Sequence, residues 1–149
     1  MKNIVLILFC VLVTSHCFPQ KGIQFKCGLC TDSVNLSQKV QNLNEKGLYC
    51  FIHFLSTNAC QSSAEYMEFA NPFLFEIIQT RSADLVSLLQ KYPELDSKAL
   101  HYELSNPLMD YDIKRLIVAV DSANKNSPIK GMILRDLQSI RLDKNGYPQ

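Results

Sequence analysis

Residues 68–78 read Glu68-Phe69-Ala70-Asn71-Pro72-Phe73-Leu74-Phe75-Glu76-Ile77-Ile78. Apolar side chains recur here at intervals of three and four and also at neighbouring positions, so a helix through this run is greasy on more than one face. A surface helix needs only one apolar stripe, and one that exceeds it is buried or meets lipid or a partner. Phe51, Ile52, Phe54 and Leu55 repeat the pattern upstream. Alternating β-branched runs are absent along the chain. The expected class is therefore all-α.

Working outward, a helix is expected from about 61 to 79, with Pro72 kinking or breaking it because proline removes a backbone donor and crowds the preceding turn. A further helix spans about 82–91, with Ser82 as N-cap, and closes before Pro93. Towards the N-terminus, a helix starts at Thr31 or Asp32 and carries Val34, Leu36, Val40 and Leu43 until Gly47 stops it. A short one then covers about 48–55, and Ser56, Thr57 and Asn58 form a turn. Beyond Pro93 about 15 residues are more polar, and the domain boundary is placed there. Two amphipathic segments follow. Ile113, Leu116, Ile117 and Val120 share one face of the first, about 109–122. The second has Ser127 as N-cap and Pro128 at its first position, then Ile129, Met132, Ile133, Leu137 and Ile140 at helical spacing. Neither stands alone in water at that length. Residues 145–149 are expected to fray.

The first residues carry a different signal. Lys2 precedes an apolar run that ends at Val13, followed by the small residues Thr14 and Ser15, the layout of a cleavable secretory signal over residues 1–17. The run is shorter than the roughly 20 residues a spanning helix needs. A secreted product, or one held in a lysosomal or granule lumen, is expected. Removal of Lys2 with the signal evens the 15 basic and 14 acidic residues of the chain. A basic nucleic-acid binder is thereby disfavoured. Of six cysteines, Cys10 and Cys17 fall in the signal, leaving Cys27, Cys30, Cys50 and Cys60. An even count in an exported chain argues for disulfides, and four cysteines allow three pairings among which spacing does not choose.

The passage from Cys27 to Leu89 resembles the saposin-like family of small helical lipid-interacting proteins. The resemblance rests on Cys27-Gly28-Leu29-Cys30 opening a helix, Glu45-Lys46-Gly47-Leu48-Tyr49-Cys50 ending another, Cys60 opening a third, the 68–78 run within it, and Ser82-Ala83-Asp84-Leu85-Val86 after it. It implies a small disulfide-bonded helical bundle over 24–92, followed by a two-helix extension within 93–149. It also implies a Cys50–Cys60 bridge, the family's third-to-fourth cysteine pairing. The fifth and sixth cysteines of the family have no counterpart near Ser87, Leu88, Tyr92 and Pro93. Cys27 and Cys30 are therefore left to pair with each other, to bridge to a second chain in a homodimer, or to persist unpaired. A redox role for this CxxC lacks the βαβ setting it needs.

What the resemblance implies for function is binding of lipids or membrane surfaces, as a carrier or a membrane-perturbing effector. The lipid-facing candidates are Phe51, Phe54, Leu55, Phe69, Phe73, Phe75, Ile77 and Ile78, exposed by opening at a hinge near Pro72. The alternative is a secreted helical protein-interaction module that has lost lipid function, its C-terminal helices covering that surface. No catalytic residues, cofactor or metal are expected: serine elbows and phosphate loops are absent, and the histidines make no ligand spacing. His53, between Ile52 and Phe54, reads as a packing residue, and His101 as part of the polar linker. Asn35-Leu36-Ser37 is a glycosylation sequon, so Asn35 is a candidate glycan site.

Overall fold

The computed structural model of the chain describes residues 25–28, 37–57, 60, 64–95, 97–123 and 127–140. The signal at 1–17, Cys30, the N-cap candidates Thr31 and Asp32, the Asn35 sequon and residues 145–149 lie outside them. The described residues are helical and contain no strand. A 3₁₀ turn, Ser37–Asn42, leads into α1 (Glu45–Leu55), α2 (Ala64–Lys91), α3 (Ser97–Ser105), α4 (Ile113–Asp121) and α5 (Pro128–Ser139).

α1 begins three residues earlier than expected, and Gly47 lies inside it. The reason is local: the Asn44 side chain caps the helix by accepting from the Gly47 backbone N–H at 2.9 Å. A Cβ at Gly47 would stand 3.0 Å from Leu43 Cδ2. The missing side chain thus makes room for Leu43 rather than ending a helix. At the other end Ser56 and Thr57 form the expected turn, both hydroxyls donating to the His53 carbonyl.

α2 runs through Pro72 without a break; its non-helical residue is Arg81, at φ −141° and ψ 32°. One lost hydrogen bond at Pro72 is outweighed by the packing around it, since Asn71, Phe73 and Leu74 are all buried. The boundary expected between the 61–79 and 82–91 helices is present, as a kink inside one helix. Arg81 makes use of it: its Nη1 donates to the Val40 and Leu43 carbonyls at 3.0 and 2.5 Å, tying off the end of the 3₁₀ turn. Ser82, expected as an N-cap, instead donates to the Ala119 carbonyl at 2.7 Å and ties α4 to α2.

The polar stretch after Pro93 contains α3, which the sequence reading left without structure. Leu100 and Leu104, one turn apart, are fully buried, while Lys98, His101 and Tyr102 face outward. One buried leucine pair in nine residues is too short a period to stand out from a polar background. α4 and α5 match expectation in their apolar faces, and α5 in its cap as well; the Asp112 cap of α4 was not expected. Asp112 accepts from Arg115 N–H, and Ser127 from Lys130 N–H, with Pro128 in the first turn. Ile113, Leu116 and Val120 of α4 and Ile133 and Leu137 of α5 are buried.

One hydrophobic core runs from Val40 to Leu137 without interruption at position 93. α2 is its axis, contacted by the 3₁₀ turn and by every other helix described. α5 in turn packs on α3 and α4 as well as on α2. No helix among the described residues is long and apolar enough to cross a membrane.

Candidate functional site

The residues named as lipid-facing are gathered in the core. Phe51, Phe54, Leu55, Phe73, Phe75, Ile77 and Ile78 are all buried, and Phe69 is half-buried against them. Phe51 meets Phe73 edge-on at 4.8 Å between ring centroids, Phe69 meets Phe73 at 4.9 Å, and Phe75 stacks on Tyr111 at 4.1 Å. In this conformation they form an interior, and lipid contact would require α3, α4 and α5 to lift from α2.

The disulfide differs from the pairing that the resemblance implied. Cys50 is bonded to Cys27, 23 positions earlier, and not to Cys60. Local packing explains the choice. Phe25 sits against Tyr49 and Tyr92, at 5.3 and 5.7 Å between centroids, and Tyr49 meets Tyr92 at 5.0 Å. This aromatic cup lays segment 25–28 across α1, which brings Cys27 to the residue after Tyr49. Cys60, fully buried, is also disulfide-bonded. With its sulfur engaged inside the chain, Cys27 does not bridge to a second copy.

Beside the cup, Glu45 accepts from Lys91 Nζ and from the Tyr92 hydroxyl, each at 2.6 Å. The Lys91 hydrogen bond, then that of Tyr92, holds the Glu45 carboxyl below its ordinary range. Tyr49 donates its hydroxyl to Glu94 at 3.4 Å, and burial raises its phenol. Next to them opens a cleft of about 210 Å³ lined by Glu45, Leu48, Arg81, Asp84, Ser87, Leu88 and Lys91. It is smaller than the pockets of about 300 Å³ and upward that hold small-molecule ligands. Its charges are spent on each other, Glu45 with Lys91 and Arg81 with Asp84.

Sequence reasoning missed the buried polar residues that organise the C-terminal helices. Asn71, fully buried on α2, donates to the Glu103 carbonyl, to Glu103 Oε2 and to the Asn106 carbonyl at 2.9–3.1 Å, and accepts from Leu108 N–H at 3.0 Å. One amide thus holds the end of α3 and the start of its connection to α4. Its signal was present, a polar residue inside the 68–78 run, but was read only as part of a motif. Lys130 reaches back from α5 to the Asp121 and Ala123 carbonyls and to the Asp121 carboxylate, closing the C-terminal end of α4. His101 and Asp136 join α3 to α5 at 2.8 Å. His53 is exposed and stacked on Tyr49, rather than packed between its neighbours.

The corner where α3 passes into its connection carries Tyr102, Leu108 and Met109, all large, apolar and more than half exposed. Asn106 Nδ2 donates to the Tyr102 carbonyl, and Asn71 grips Leu108, so both ends of this corner are held by hydrogen bonds. Among the described residues no three of His, Cys, Asp and Glu converge as metal ligands. In comparisons with known proteins, no family model matches this sequence, and neither a curated protein nor a solved structure does.

Proposed function

We propose that this chain is a secreted, non-enzymatic helical interaction module that binds a protein partner in its closed form. The observation that carries the reading is the burial of the aromatic and aliphatic set of α1 and α2, with Phe69 half-buried, in one core with α3, α4 and α5. A surface already covered by the chain's own helices is not offered to a membrane. Among the described residues the large apolar side chains left exposed are Tyr102, Leu108, Met109 and Val118, and the first three gather at the corner after α3; apolar side chains held on a rigid frame are suited to contact with another protein. Affinity capture from the fluid into which the protein is released tests this. Wild type recovers a protein that the Leu108→Asp/Met109→Asp variant, folded by circular dichroism, does not. Equal recovery by both would remove the corner from the reading.

Lipid or membrane binding is the second reading. It follows the saposin-like resemblance of the Cys27 to Leu89 passage and draws support from the apolar wealth of α1 and α2. It requires the bundle to open. Liposome flotation of the intact protein at neutral and acidic pH separates the two: recruitment at either pH favours lipid, and its absence at both favours the closed module.

A further inference from the structure

α3 is tied on two sides, to α2 through Glu103 and to α5 through His101. On the α2 side Glu103 is buried, and its Oε2 accepts from Asn71 Nδ2 at 2.9 Å. Two influences act on its carboxyl: burial, which raises its proton affinity, and the weaker opposing effect of the Asn71 amide. A buried carboxylate without a cation is the unfavourable ionic form of that group. On the α5 side His101 Nδ1 stands 2.8 Å from Asp136 Oδ1, an ion pair only when the imidazole is protonated. Asp136 is also buried, and its Oδ2 has no hydrogen-bond partner among the described residues.

We infer that α3 is an acid-tightened latch: protonation of Glu103, buried against Asn71 of α2, closes the helix onto the core, and proton loss loosens it. The groups facing Glu103 agree in sign. Glu103 faces Tyr66 and Asn71 of α2, and the Tyr66 phenol, pushed up by burial and then by the Glu103 charge, stays neutral. Neither α1 nor α5 contributes a charge that acts on Glu103. His101 faces Asp136, with Lys98 a turn earlier on its own helix. For Glu103, the folded chain holds its proton to higher pH than the unfolded chain does. The ionic penalty is therefore absent below the ordinary carboxylate range and complete above the raised value, so this tie weakens as pH rises. The latch does not depend on the interaction reading. Should that reading hold, proton activity would also govern how firmly the Tyr102 and Leu108 corner is presented.

A local readout is required, because the Glu45, Lys91 and Tyr92 clasp between α1 and α2 has the opposite sense: a lowered carboxyl affinity is stabilising above the ordinary carboxylate range and is lost as pH falls. Hydrogen exchange of the intact, disulfide-bonded chain, corrected for intrinsic rates, supplies one. Amides of α3 are expected to exchange more slowly, by about threefold or more, just above the ordinary carboxylate range than at about pH 7.5. Glu103→Gln, which imitates the protonated acid, is expected to give slow exchange at both values. Should Glu103→Gln fail to fold by circular dichroism, the wild-type profile carries the test. An α3 whose protection is the same at both pH values, or greater at the higher one, overturns the inference. So does a folded Glu103→Gln that keeps the full wild-type response.

Discussion

At the scale of single residues, Asn71 is the most consequential polar group in the fold. Its three donor contacts and one acceptor contact join α2 to the end of α3 and to Leu108. Replacing it with alanine leaves the Glu103 carboxylate and the Leu108 N–H unsatisfied in a buried site. Such orphaned groups cost about 1–3 kcal/mol each, so Asn71→Ala is expected to lower unfolding free energy by about 3 kcal/mol in urea titration. A loss under about 1 kcal/mol would mean that water replaces the amide. Lys130 is a comparable case on α5, and Lys130→Met is expected to be destabilising by about 1–2 kcal/mol through the uncapped end of α4. The identity of neither partner set was legible along the chain, because the acceptors at Glu103 and Asn106 lie more than 30 positions from Asn71.

At the scale of elements, the Pro72 and Arg81 positions exchange the roles that local rules assign them. Proline was expected to kink or break α2, and the helix continues through it, whereas Arg81 interrupts it while reaching the 3₁₀ turn. Proline inside a helix costs about 3 kcal/mol, and the half-buried ring returns some of that through packing. Pro72→Ala is thus expected to raise stability by about 1 kcal/mol, seen as a higher midpoint in denaturant without a change in slope. A destabilised variant would argue that the ring, not the helix, is what the site selects. The Cys27–Cys50 bond encloses 23 positions, a loop for which chain entropy suggests about 3 kcal/mol. Cys27→Ser/Cys50→Ser is expected to lose about that much and to free segment 25–28 from the aromatic cup. Retained thermal midpoint with the bond absent would show that Phe25, Tyr49 and Tyr92 suffice alone.

At the scale of the whole molecule, α2 is covered from both ends of the chain. The 3₁₀ turn and α1 lie on it from the N-terminal side, and α3, α4 and α5 from the C-terminal side. Deleting residues 106–149 uncovers Phe75, Leu85 and their neighbours, which pack in one core with Leu116, Val120, Ile133 and Leu137. The expected product aggregates or binds a hydrophobic dye strongly. A truncated chain that stays soluble, monomeric and dye-free would show that the tail covers nothing. The same cover is why the apolar surplus of α1 and α2, open on sequence grounds to a core, a lipid or a partner, is resolved as a core in this conformation.

What the sequence determined by itself was the local part: the all-helical class, the Ser127-Pro128 start of α5, the apolar face of α4, the turn at Ser56 and Thr57, and the interruption of α2 near residue 81. Each depends on residues within one or two turns of one another, where capping and periodicity act. Tertiary structure alone decided that Cys50 joins Cys27, that Gly47 admits Leu43, that α3 forms in a polar stretch, and that Asn71, Glu103, Lys130, His101 and Asp136 find their partners. Those outcomes depend on groups brought together across tens of residues. Burial and unsatisfied hydrogen bonds set their free energies, and neither exists until the helices have met.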